Sequence, residues 1–251
     1  MTVIRVQNLR KSFGGLHAID HCSFSVEKNS ITGLIGPNGA GKTTMFDLIN
    51  GLMAPDEGHI FIHEKEVTRL PAHRRARMGL ARTFQAIRIF PELSALDNVV
   101  VALQDHPEKL RHAFTPLRKK QRQLMVRAQE FLHTVGIGEK AHLRAGDLSY
   151  GQQKLLEIAR CMATDAEIFL FDEPAAGVNP TLLNAIRELI LKLHQQGKTL
   201  LIVEHNMPFL MSIAHQVIVM NFGKELAVGK PEEIQKNPRV LEAYLGKKRD
   251  A

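Results

Sequence analysis

The 251-residue sequence has no tryptophan, two tyrosines and two cysteines. Cys22 and Cys161 lie far apart and have neither metal nor redox spacing. That excludes a disulfide framework or a cysteine-built metal centre and points to a reducing compartment. Long hydrophobic runs are also missing. Stretches such as "IFLF" (168–171), "LLIV" (200–203) and "VIVM" (217–220) fall far short of the ~20 residues that a membrane-spanning helix needs. The opening "MTVIRVQNLRKSF" has no apolar core of the secretory kind, so a cytoplasmic location is expected. Internal repeats and low-complexity segments are absent. What remains, 44% hydrophobic and 24% charged residues, is the composition of an ordinary globular protein.

Charge is present in excess of one sign. Thirty-three basic residues against 26 acidic ones leave a net +7. "HRRARMGLAR" (73–82) and "LRHAFTPLRKKQR" (110–122) supply much of it. Such a balance suits nucleic acid, an anionic membrane surface, or simply a solvated helical face.

Along the chain, residues 2–7 and 22–27 read as short strands and "SITGLIG" (30–36) as a buried parallel strand. "KTTMFDLINGLM" (42–53) reads as a helix, and "APDEGHIFI" turns into a further strand. From about 87 to 165 strand signals vanish, and helical spacing runs from Leu117 to Val135. Beyond 166, strands and helices alternate: "AEIFLFD", a helix over about 180–196, "KTLLIVEH", a helix near 207–214 and "QVIVMNFG". This alternation predicts an α/β fold with a parallel-sheet core, formed by 1–86 and 166–251, and a helical subdomain over 87–165.

"GPNGAGKT" matches the phosphate-binding pattern G-x-x-x-x-G-K-[ST] in full, between a predicted strand and a predicted helix. Its residues are Gly36, Pro37, Asn38, Gly39, Ala40, Gly41, Lys42 and Thr43, with Thr44 next in line. Glycines let the backbone close around phosphate, with the N–H groups from Gly39 to Thr43 turned inward. Lys42 supplies a point charge for the β- and γ-phosphates, and the Thr43 hydroxyl a ligand for Mg²⁺. ATP and Mg²⁺ are thus the expected cofactors. "IFLFDE" (168–173) is a buried strand ending in two acids, a costly arrangement unless the charge is paired or metal-bound. Asp172 is the candidate Mg²⁺ ligand through water, and Glu173 the general base for the attacking water. Two more predicted strands finish in polar residues, "ARTFQ" at Gln85 and "TLLIVEH" at His205. Ligands of open parallel sheets sit beyond the carboxyl ends of the strands. Gln85 is therefore expected at the metal and water, and His205 at the γ-phosphate.

A second anion site is written at "LSYGQQKLLEIAR" (148–160). Ser149 and Gln152 form a capping box ahead of an apolar stripe of Leu155, Ile158, Ala159 and Met162. The N–H groups at such a helix start, beside Ser149 and Gly151, point outward unpaired.

Together these motifs resemble the nucleotide-binding subunit of an ABC transporter, and the resemblance covers essentially the whole chain. It implies a P-loop ABC ATPase fold: a RecA-like core, an antiparallel β subdomain and the helical insertion. It also explains the two anion sites. In that family ATP is sandwiched head to tail, so Gly36–Thr43 would bind nucleotide in one chain. Ser149 and Gly151 would complete the site of a second ATPase subunit. The resemblance places an aromatic residue on adenine, here Phe13. Two departures stand out: Tyr150 replaces the first glycine of the usual Leu-Ser-Gly-Gly-Gln, and Asn179 replaces a common aspartate in "AAGVN".

"RTFQAIRIFPELSALDNV", "LSYGQQKLLEIARCM", "DEPAAGVNP" and "NPRVLEAYLG" are similar to the ATP-binding subunits of branched-chain amino acid importers. That implies permeases, a sister ATPase and, indirectly, a periplasmic binding protein as partners, at the cytoplasmic face of the membrane. Residues 86–100 would form the groove for a permease coupling helix, lined by Ile87, Ile89, Phe90 and Leu93. Rival expectations are another ABC system, such as lipopolysaccharide export or import of other amino acids, amides or urea, and a non-catalytic regulatory module. A nucleic-acid-associated ATPase fits less well, because the DNA-repair relatives carry long coiled-coil insertions for which 87–165 is too short. No nucleic-acid partner is expected.

Overall fold

The computed structural model describes the backbone of residues 1–84, 86–104 and 117–245, with side chains for all of these except 117–120 and 245. Two sheets organise it. The first has the antiparallel order β2-β1-β4-β5, from β1 (Thr2–Phe13), β2 (Leu16–Glu27), β4 (Glu57–Ile62) and β5 (Lys65–Glu66). The second has the order β10-β9-β3-β8-β7-β6. In it β9 (Gln216–Asn221), β3 (Ile31–Ile35), β8 (Thr199–Val203), β7 (Ile168–Asp172) and β6 (Leu80–Arg82) run parallel, and β10 (Lys224–Gly229) closes one edge antiparallel to β9.

The strands β3, β7 and β8 are buried along their whole length, which is why they read as unbroken apolar runs. Their side chains still alternate between two cores. Phe169, Phe171, Leu200 and Ile202 pack with the helices α5 (Tyr150–Ala163) and α6 (Pro180–Gln195). Ile168, Leu170, Leu201 and Val203 pack with α1 (Lys42–Asn50) and the antiparallel sheet. Between β6 and β7 the chain forms α3 (Ala95–Gln104), α4 (Leu117–Thr134) and α5. The short helices α2 (Ala72–Ala76) and α7 (Met207–Met211) precede β6 and β9, and α8 (Pro231–Lys236) and α9 (Pro238–Leu245) follow β10.

Several expected boundaries move. The first hairpin is twice as long as its apolar segments suggest, because β1 carries register shifts that break the alternation. Strand β6 stops at Arg82, three residues before Gln85, and Gln85 itself lies outside the described residues. Strand β8 stops at Val203, so His205 stands in the turn beyond it rather than in the strand. The basic cluster 73–82 is not simply a solvated face. Arg75 is buried, and the Arg82 side chain is 3% exposed. Much of the second cluster, residues 110–116 and the side chains of 117–120, lies outside the described residues.

Candidate functional site

Strand β3 delivers the chain into the glycine loop and α1. At Gly36 a Cβ would stand 2.2 Å from the Met220 carbonyl, and at Gly41, φ +97°, 2.4 Å from the Ala18 carbonyl. Only glycine fits either place, so the loop is pinned on both flanks. Lys42 opens α1 and is 7% exposed. Its Nζ donates to the carbonyls of Gly36 at 2.7 Å and Pro37 at 3.0 Å, folding back over its own loop. Burial pulls its pKa down, while the charges of Glu173 and Asp172 hold it up. Thr43 is exposed and Thr44 half-buried.

Strand β7 ends at Asp172, which is buried. Its Oδ2 pairs with Arg82 Nη2 at 2.9 Å, and Arg82 Nη1 reaches Asp47 of α1 at 2.6 Å. The other oxygen, Oδ1, is buried with no hydrogen-bond partner. Burial raises the Asp172 pKa and Arg82 opposes the rise. A buried carboxylate oxygen lacking a partner fits a hard cation or its water shell, as does the hydroxyl of Thr43. Among the described residues no group of three or more His, Cys, Asp or Glu gathers to offer a metal site, here or elsewhere.

Glu173 follows with φ +49°, in the left-handed region. Its Oε1 lies 2.9 Å from His205 Nε2. Phe13, Gly39, Lys42, Thr43, Glu173 and His205 all line one cleft of about 840 Å³. Phe13 is 48% exposed there. Ser149, Gly151 and Gln152 are not among the residues lining it. Ser149 does cap α5: its Oγ accepts from Gln152 N–H, and the Gln152 side chain accepts from Ser149 N–H.

Four participants escaped the sequence reading. Arg82 sat within a charge cluster, and its pairing with Asp172 is a tertiary contact across 90 positions. Glu204 sat between the apolar strand and His205. It is 2% exposed, and its carboxylate accepts the N–H groups of Ala175, His205 and Asn206. Phe222, 82% exposed at the β9–β10 turn, also lines the cleft. Lys154 of α5 reaches the Glu173 carbonyl. Asn179, noted as a departure, is the N-cap of α6, accepting from Leu182 N–H at 2.9 Å.

The model of the ABC transporter family matches residues 19–176. This chain belongs to that family. It is an ATP-binding, ATP-hydrolysing cassette, and a second model, of branched-chain amino acid ATP-binding cassette transporters, matches residues 224–250. The high-affinity branched-chain amino acid transport ATP-binding protein BraF of Pseudomonas aeruginosa is 43% identical, covering 97% of this chain and 98% of its own length. LivG of Escherichia coli, with the same description, is 40% identical over 97% and 98%. An ATP-binding cassette of an ABC transporter, solved in its ADP conformation, superposes with a TM-score of 0.86 at 32% identity, over 98% of this chain and all of the other. Among the described residues no helix is long and apolar enough to cross a bilayer.

Proposed function

We propose that this ABC ATPase powers import of branched-chain amino acids. Its core, 1–86 and 166–251, hydrolyses ATP, and its helical part, 87–165, transmits the result to permeases at the cytoplasmic face of the membrane. A periplasmic binding protein delivers the amino acid to those permeases. The observation that carries the catalytic part is the sharing of one cleft by Lys42, Glu173 and His205. The substrate class rests on the BraF and LivG relatives and on the match over 224–250. A relative named for lipopolysaccharide export is less similar, at 36% identity.

In this reading Phe13 stacks on adenine, and the backbone of Gly36–Thr44 cradles the phosphates. Binding of the phosphates draws Lys42 Nζ from the Gly36 and Pro37 carbonyls to the β- and γ-oxygens. Thr43, Asp172 through water and, by the sequence reading, Gln85 would hold Mg²⁺, which would supply neutralisation of charge on the phosphates. Glu173 accepts a proton from the attacking water, and His205 holds the Glu173 carboxylate and contacts the γ-phosphate. Ser149, Gly151 and Gln152 stand outside the chain's own cleft, so they act on the ATP of a second ATPase subunit paired head to tail. The half-exposed Phe90 and Leu93 belong to the coupling groove.

Two variants test this. Lys42→Ala should weaken ATP binding at least tenfold in a fluorescent-nucleotide titration, and unchanged affinity would sink the cradle assignment. Glu173→Gln should keep ATP binding, lose turnover by about 10²-fold or more, and elute as a dimer with MgATP. Full turnover would remove Glu173 from the base role.

A further inference from the structure

The proposed chemistry leaves the buried cation of Lys154, beside Glu173, without a task. Lys154 stands one turn into α5 and is 6% exposed, among the most enclosed charged side chains of the molecule. Its Nζ donates to the main-chain carbonyl of Glu173 at 2.8 Å. Burial lowers its pKa, and the surrounding carboxylates of Glu204, Glu157, Glu173 and Asp172 hold its charge in place. The helix does not need this lysine for its anchoring. Leu155, Leu156, Ile158 and Ala159 already pack into the core, and the Glu157 carboxylate binds the N–H groups of Phe84 and Arg88.

Glu173 is the group that needs fixing. A non-glycine residue with φ +49° persists only where its surroundings over-determine it. The Glu173 N–H donates to the Val203 carbonyl at 2.9 Å, and its carboxylate meets His205. Its carbonyl is held by Lys154, and two residues on, Ala175 N–H is held by Glu204 at 2.6 Å. The same carbonyl also accepts from Ala176 N–H at 3.1 Å. Lys154 and that turn bond thus fix the carbonyl side of Glu173 while Val203 fixes its N–H, and together they hold the Cα from which the side chain reaches His205. The start of α5 reaches the following loop as well. A Cβ on Gly177 would stand 3.2 Å from Tyr150 Cε1, so the ring lies directly over that glycine.

We propose that Lys154 is a positioning residue for ATP hydrolysis: it clamps the strained turn at Glu173 and fastens that turn to the capped start of α5. The inference rests on the reading of Glu173 as base and of Ser149 as a contributor to a neighbour's site. Within one chain, Lys154 then joins the group that works on the chain's own ATP to the helix that works on the neighbour's. A shift of α5 on engaging the neighbour's phosphate is felt at the Glu173 carboxylate through one ammonium–carbonyl bond.

The test is steady-state ATP hydrolysis and fluorescent-ATP binding by the full chain carrying Lys154→Met, Lys154→Arg or Glu173→Gln, and by the Lys154→Met/Glu173→Gln double variant. Lys154→Met should lower kcat at least tenfold and leave the ATP dissociation constant within about twofold of wild type. Lys154→Arg, which keeps a charged donor, should recover most of the rate. In the Glu173→Gln background, Lys154→Met should lower the rate no further, because the carboxylate it positions is already gone. A Lys154→Met enzyme with unaltered kcat overturns the proposal. So does a fall in kcat matched by an equal loss of ATP affinity, or a full multiplicative loss in the double variant, since either marks a general structural role. If Lys154→Met does not fold, Lys154→Gln, a neutral donor, is read by the same ratios. A fast Glu173→Gln enzyme sinks both this proposal and the reading beneath it; a slow one beside a fully active Lys154→Met sinks the positioning role alone.

Discussion

Glu157 shows how one side chain can hold a connecting segment in place. The residue is 8% exposed, and a single oxygen, Oε1, accepts both Phe84 N–H and Arg88 N–H, on either side of Gln85. Burial raises its pKa above the ordinary 4.5, against the pull of those two bonds and of Arg160 and Lys154. A raised carboxylate pKa means that the folded state binds the proton more tightly than the unfolded chain. Stability is therefore lost as pH rises from the ordinary value through the raised one. Glu157→Gln keeps an oxygen for both amides and has no charge to bury. In urea unfolding its stability relative to wild type should improve as pH rises from about 4.5, and level off once Glu157 is ionised. Glu157→Ala orphans two amides and should cost about 2–3 kcal/mol at about pH 4.5 and below, and less as pH rises, because it too has no carboxylate to ionise. A flat difference between Glu157→Gln and wild type would remove the burial argument. None of this was legible beforehand: "LLEIAR" shows a glutamate on a helix, and nothing local says that it faces inward. Lys42, Asp172 and Glu173 were legible, because each sits where a glycine loop or an apolar run stops and a charge begins.

At the scale of elements, continuous apolar runs revealed β3, β7 and β8, and the capping box revealed α5. Strand ends were read less well, since a polar residue after an apolar run marks the turn as readily as the last strand position. That is why the run "TLLIVEH" extends to His205, two residues beyond the end of β8. Charge clusters misled for a different reason: burial of an arginine depends on distant carbonyls. Arg75, 1% exposed, donates to the carbonyls of Leu48 and Ile49 at the end of α1, and to those of Leu70 and Thr68. Its pKa falls to about 10 through burial alone. It closes the helix that carries Lys42 and Thr43, using the fork geometry that lysine lacks. Arg75→Lys should retain at most part of this network and lose about 3 kcal/mol in chemical denaturation. Arg75→Met should lose at least as much. A surface-like change below about 0.5 kcal/mol would show that α1 does not depend on this closure.

For the molecule as a whole, the proposed function has its two anion-binding ends face different nucleotides. The cradle with Glu173 and His205 lines one cleft, and Ser149 with its outward N–H groups is not part of that lining. A chain built this way supplies half of each of two sites, so defects in different halves should complement each other. Lys42→Ala removes the cradle charge and leaves α5 intact. Ser149→Asp keeps a good N-cap, so the helix still starts correctly, but sets a carboxylate where the neighbour's γ-phosphate must come. Each variant alone should hydrolyse ATP at no more than a few per cent of the wild-type rate. When the two are mixed at equal concentration, half of the pairs are mixed if pairing is random. Each mixed pair holds one site with a sound cradle and a sound opposing helix. ATPase activity should then rise to roughly a quarter of wild type, one restored site in two across half of the pairs, and should increase more steeply than linearly with protein concentration. A mixture that stays as silent as its components, with both chains folded and Glu173→Gln forming a dimer in MgATP, would refute reciprocal completion between copies of this chain. A lone Ser149→Asp chain working at full rate would refute the role of the capped helix outright.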